Sequence, residues 1–73
     1  MKLLHKIHNH VRRNAKKNIK IGEPVAVVKK EDQDTGLLTD GIVRDILTNS
    51  ATHPHGIKVR LMSREVGRVK EIY

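Results

Sequence analysis

The sequence predicts a mainly β domain: a small antiparallel barrel of about five strands, preceded by a basic amphipathic α-helix. Three observations lead there. Apolar residues in the first 20 positions recur at helical spacing. Beyond Gly22 the composition turns β-branched, with twelve Val or Ile against four Leu over residues 21–73. Those residues fall in short runs parted by turn-forming loops, with no helical stretch to build parallel crossovers. The reading divides the chain into a helical arm at 1–21 and a barrel at 22–73.

Each element has its own justification. In "MKLLHKIHNHVRRNAKKNIK", Leu4, Ile7, Val11 and Ala15, with Leu3 beside them, fall on one stripe roughly 120° wide at about 100° per residue. Lys2, Lys6, Arg13, Lys16, Lys17 and Lys20 take the opposite face, with Arg12 at its edge. Gly22 is a suitable stop. "PVAVVKK" (24–30) reads as a strand, and "EDQDTGLLTDG" as a polar loop. "GIVRDILT" (41–48) reads as a second strand. "GIKVRLM" (56–62) alternates, with Ile57, Val59 and Leu61 on one face and Lys58 and Arg60 on the other. "SRE" is a tight turn, and "VGRVKEIY" closes the chain as a strand or a final turn. A closed barrel also removes the open sheet edges that a 73-residue chain has little means of covering.

The charge is more telling once it is located. Residues 1–20 hold seven of the fifteen basic residues and no acidic one, while residues 21–73 balance eight basic against eight acidic. The whole net charge of +7 therefore lies in the first segment, a pattern that points to a polyanionic partner. Three uses of the helix remain open from the residues alone. Its cations can lie along phosphates and release counterions. Its stripe can bury in an anionic membrane surface, although no Trp or Phe is present as an anchor. Or the stripe can pack on the barrel with its charges solvated. Outward positions of the barrel add Arg44, Lys58, Arg60, Arg68 and Lys70, which can equally be ordinary strand residues paired with Asp45 or Glu71. With Tyr73 the one aromatic residue, base stacking on single strands is disfavoured, and recognition of folded RNA by backbone and shape fits better.

Other chemistry has weaker signals. There is no cysteine, so neither disulfides nor thiolate zinc sites are available. Asp32, Asp34 and Asp40 crowd one loop but match no calcium-loop spacing. "DTG" at 34–36 shares letters with the aspartic-protease triplet, but it lacks the apolar strand that should precede it. His53 and His55 flank Pro54 in "LTNSATHPHGIKVRL". Two histidines fall short of the three or four ligands zinc needs, and His5, His8 and His10 lie on different faces of the expected helix. The stretch then reads either as a stiff, partly cationic contact loop or as plain turn chemistry. No enzyme, metal or cofactor is expected. No apolar run reaches the length of a membrane span or a signal peptide core, and a cytoplasmic location is expected.

The run "GLLTDGIVRDILTNSATHPHGIKVRLMSREVGRVKEI" carries "L-T-x-G-I-V", "I-L-T-N-S", "H-P-H-G-I-K-V-R-L" and "V-G-R-V" in order. Over about residues 22–72 it resembles the YwbE-like family of small proteins of uncharacterised function. "MSRE" stands where the resemblance implies a Gly-containing turn. More loosely, "GEPVAVVKK…DGIVRDI" is similar to the KOW pattern of SH3-like barrels, with Gly41, Val43 and Ile46 at the matching positions. Such barrels occur in ribosomal proteins and transcription elongation factors, which implies contact with RNA or ribonucleoprotein.

The resulting expectation is a non-catalytic protein that binds structured RNA, most directly ribosomal RNA, in a ribosome or other ribonucleoprotein. Lys2, Lys6, Arg12, Arg13, Lys16, Lys17 and Lys20 are the candidate phosphate contacts. Lys58, Arg60 and Arg68, with His53 and His55, form a second candidate surface. The alternative is a protein-interaction module that docks a partner through a barrel groove or the helix stripe.

Overall fold

The computed structural model describes residues 12–73. Four strands follow one another: β1 (Pro24–Lys29), β2 (Thr39–Ile46), β3 (Lys58–Leu61) and β4 (Val66–Ile72). Each pairs antiparallel with the next, and β4 returns to β1, so the sheet closes into a barrel. The expected count of about five strands is corrected to four, and the two halves of the long β2 pair with different neighbours. Its first half pairs with β1 from Pro24↔Ile42 to Val27↔Thr39. Its second half pairs with β3, with a register shift between Val43 and Asp45. Irregularities of this kind bend a strand round a barrel corner, so one strand does the work of two.

Alternation along the strands fills the interior. Val25, Val27, Val43, Ile57, Val59, Leu61 and Val69 are at most 1% exposed and form one cluster, with Ile46 and Ile72 packed against it. Burying an aliphatic side chain of this size stabilises a fold by about 1.5–3 kcal/mol, and nearly every member of the cluster is β-branched. Closure also needs a place without a side chain. A Cβ on Gly67 would lie 2.6 Å from the Val28 carbonyl oxygen and 2.8 Å from Val27 Cγ2, wedging β4 away from β1.

The chain ahead of β1 departs from expectation. The predicted helix over 1–20 does not continue through Ala15–Lys20. Ala15 is extended, Lys16–Asn18 make a single 3-10 turn, and Ile19 is extended again; positions 1–11 lie outside the described residues. The reason is competition for backbone groups. Ile57 N–H donates to the Arg13 carbonyl (3.0 Å), His53 N–H to Asn14 (2.9 Å) and Lys16 N–H to the Ala51 carbonyl (2.8 Å), with an antiparallel bridge between Ala15 and Thr52. Ile19, 4% exposed, enters the barrel core. Tertiary pairing and one buried isoleucine outweigh a helical propensity worth tenths of a kcal/mol per residue. Among the described residues, no helix is long and apolar enough to cross a membrane.

The hairpin between β3 and β4 shows what replaces the expected glycine. Arg64 N–H donates to the Leu61 carbonyl and Leu61 N–H to the Glu65 carbonyl, both at 2.8 Å. This is a three-residue loop whose last position takes the left-handed conformation, where glycine is the usual occupant. Arg64 adopts it at φ 76°, and it is the one non-glycine residue with positive φ among those described. The Ser63 hydroxyl donates to Glu65 Oε1 (2.9 Å), bracing the turn.

Candidate nucleic-acid interface

Outward-facing positions of β4 carry two cations that hydrogen-bond to backbone carbonyls. The inward side chain Val69 fixes the phase, so Arg68 and Lys70 point out. Arg68 lies across from Lys58 on β3 and from Val28 on β1. Above them runs the loop holding His53 and His55. Arg68 Nη1 donates to the Gly56 carbonyl (3.1 Å) and Lys70 Nζ to the His55 carbonyl (2.9 Å). The loop sits this close because Gly56 takes φ 100°, and a Cβ there would fall 2.4 Å from the Val69 carbonyl oxygen. From the other side, the segment ahead of β1 delivers Arg13. The result is a hollow lined by Arg13, Arg68, Lys70 and His55, with Gln33 and Leu38 contributed by the β1–β2 loop; among the described residues, no carboxylate lines it.

The electrostatics agree with that composition. Burial, and then the charges of Arg13 and Arg68, push the Lys70 ammonium below its ordinary pKa. Burial, then Arg68 and His55, lower His53 likewise. Its Nδ1 accepts the His55 backbone N–H (3.1 Å), so it is deprotonated at that nitrogen and acts as a turn brace. The two rings stand 5.8 Å apart. Among the described residues, no three His, Cys, Asp or Glu side chains are placed to share a metal ion.

The candidate residues therefore separate into groups. Arg13, Arg68 and His55 converge on the hollow, and Lys58 is exposed beside Arg68 on the outer face. Arg60 instead pairs with Asp45 (3.1 Å), which also meets Arg44 at 3.7 Å. Lys16 and Lys17 border a different, largely apolar hollow with Ala15, Ile19, Ile46 and Ala51. Arg12 and Lys20 are exposed, and Lys2 and Lys6 lie outside the described residues. Lys70 was not among the candidate contacts, although its position two residues beyond Arg68 on the same strand face is a usable signal. Gln33 carries no local signal, because the irregular loop after β1 brings it in.

A family model of uncharacterised conserved proteins, DUF2196, matches residues 12–72. The chain belongs to that family. It is 54% identical over 55 residues to the uncharacterized protein YwbE of Bacillus subtilis (strain 168), a stretch covering 75% of this chain and 85% of that protein. No solved structure matches significantly. The family match takes in Arg12–Ile21, which the sequence resemblance had left out. This is the segment whose backbone pairs with the His53–His55 loop and whose Ile19 enters the core.

Proposed function

We propose that the protein binds structured RNA, in a ribosome or another ribonucleoprotein, and carries out no catalysis. The observation that supports this best is the cationic hollow of Arg13, Arg68 and Lys70, which no carboxylate of the described residues lines. Charge alone is suited to reading the phosphate backbone of folded RNA. The single aromatic residue is otherwise engaged, because the Tyr73 hydroxyl donates to Asp40 Oδ1 (2.6 Å), so little remains for stacking on unpaired bases. The closed antiparallel barrel is compatible with the SH3-like, KOW-type resemblance of β2, where Val43 is buried and Ile46 half-buried. In this reading the protein is cytoplasmic and needs no metal or cofactor.

The test is purification of the tagged protein from its native cells at low salt, with and without nuclease. Ribosomal RNA and ribosomal proteins that co-purify and wash off as salt rises support the proposal. A protein partner that survives both nuclease and high salt overturns it. That second outcome is kept open by the apolar hollow around Ile19, Ile46 and Ala51, which could take a partner side chain. Truncation to locate the RNA contacts must stop at residue 11, because removing residues 12–20 also removes Ile19 from the core.

A further inference from the structure

The hollow beside β4 has a more specific chemistry than general positive charge. Lys70 and Arg68 each use one donor on a loop carbonyl, which holds their charged groups in place, and their other N–H groups have no hydrogen-bond partner among the described residues. Arg13 Nε is buried and has no hydrogen-bond partner among the described residues, and a buried donor left unsatisfied is unfavourable. Lys70, whose pKa is lowered first by burial and then by the charges of Arg13 and Arg68, likewise meets no carboxylate of the described residues in the hollow. A single anion would relieve both. Cationic groups brought together from two segments of the chain suit the tetrahedral oxygens of a phosphoryl group, whether diester or monoester, better than the two coplanar oxygens of a carboxylate.

We propose that this hollow seats one phosphoryl group, held by the guanidinium groups of Arg13 and Arg68 and the ammonium of Lys70. Val28 and Leu38 provide an apolar wall for whatever carries the phosphate, and Gln33 provides an amide at the edge. Only the source of the phosphate rests on the RNA reading. A backbone phosphodiester and a terminal phosphomonoester share the chemistry, and the experiment separates them.

The full-length protein is titrated with inorganic phosphate while its backbone amide resonances are followed. An RNA hairpin, bearing either a 5′-phosphate or a 5′-hydroxyl, is then titrated by fluorescence anisotropy. The variants are R13Q, K70Q and the charge-matched control K17Q, whose site borders the other hollow. The expected result is saturable phosphate shifts at Gly56, Arg68 and residue 70 in wild type and K17Q, lost in R13Q and K70Q. Hairpin affinity falls about tenfold in R13Q and less than about threefold in K17Q. A 5′-phosphate preference assigns the seat to a chain end, and equal binding assigns it to the backbone. Phosphate shifts that never saturate, or that persist in R13Q and K70Q, overturn the seat, as does equal loss of hairpin affinity in R13Q and K17Q. Saturable phosphate binding that R13Q abolishes, without any hairpin binding, keeps the seat and removes the RNA reading.

Discussion

Two sets of cations lie on the outside of the same barrel, and their partners set them apart. Arg60 and Arg44 share the Asp45 carboxylate, and Lys29 lies between Glu65 (2.8 Å) and Glu31 (3.7 Å). Among the described residues, Arg68 and Lys70 direct their side-chain hydrogen bonds to backbone carbonyls of the His55–Gly56 loop. Carbonyls orient a cation without cancelling it. A body with equal acidic and basic counts over residues 21–73 thus still carries a cationic hollow, because no carboxylate of the described residues lines the side that holds Arg68 and Lys70. Local pairing, more than net charge, decides which cations remain available to an anion.

The largest expected effect comes from lifting the loop off β4. Gly56→Ala forces a side chain into a φ of 100° and a 2.4 Å approach to the Val69 carbonyl, and should destabilise the fold by about 2–4 kcal/mol. Thermal denaturation should show a melting point lower by roughly 10 °C or more for a domain of this size. An unchanged melting point would mean that the loop does not rest on β4, and the contrast between the two sets would dissolve.

The contrast itself is tested by pairing two substitutions of the same kind. Arg68→Gln should weaken hairpin RNA binding about tenfold and lower the salt slope by about one. Arg60→Gln should change affinity less than about twofold, because its charge is already offset by Asp45 (3.1 Å). Equal losses in the two variants would show that only total charge matters.

A smaller effect concerns the β3–β4 turn. Arg64→Gly replaces the one described non-glycine residue at positive φ, relieving a left-handed conformation that costs an L-residue about 1–2 kcal/mol, less the entropy glycine loses on folding. The expected gain is about 0.5–1 kcal/mol in chemical denaturation, with no change in RNA affinity. A loss of stability would mean that the Arg64 side chain contributes contacts that outweigh its backbone strain.

What the sequence revealed follows from how local each signal is. The strand of residues 56–62 was legible because Ile57, Val59 and Leu61 alternate with Lys58 and Arg60, and the turn at Ser63–Glu65 because a polar triplet breaks two apolar runs. The fate of Arg13–Ile19 was not legible. Its helical spacing is genuine as a pattern, but the carbonyls of Arg13 and Asn14 are taken by Ile57 and His53, some forty residues away. Ile19, four residues beyond Ala15, extends the stepping of the stripe and is the member that the core buries. The hollow was half legible: charged residue types on β4 were visible, but its freedom from carboxylates depends on where Asp45, Glu31 and Glu65 point.

The smallest effect sharpens the paired side of the comparison through pH. Lys29 and the Ser63 hydroxyl hydrogen-bond to Glu65 and hold its carboxyl below the ordinary value of 4.5. Its contribution to stability is therefore fully present above that value and is lost as pH falls through the depressed folded value. Lys29 is raised above 10.5, first by its hydrogen bond to Glu65, so its contribution is present below 10.5 and is lost as pH rises through the folded value. The melting-point difference between wild type and Glu65→Gln should then be largest in the middle range and shrink at both ends. It should be small throughout, because exposed ion pairs are screened by water. A difference that stays constant from acid to alkaline pH would show that Lys29 and Glu65 do not depend on each other's charge, and would leave Lys29 free to join the cations of the open face.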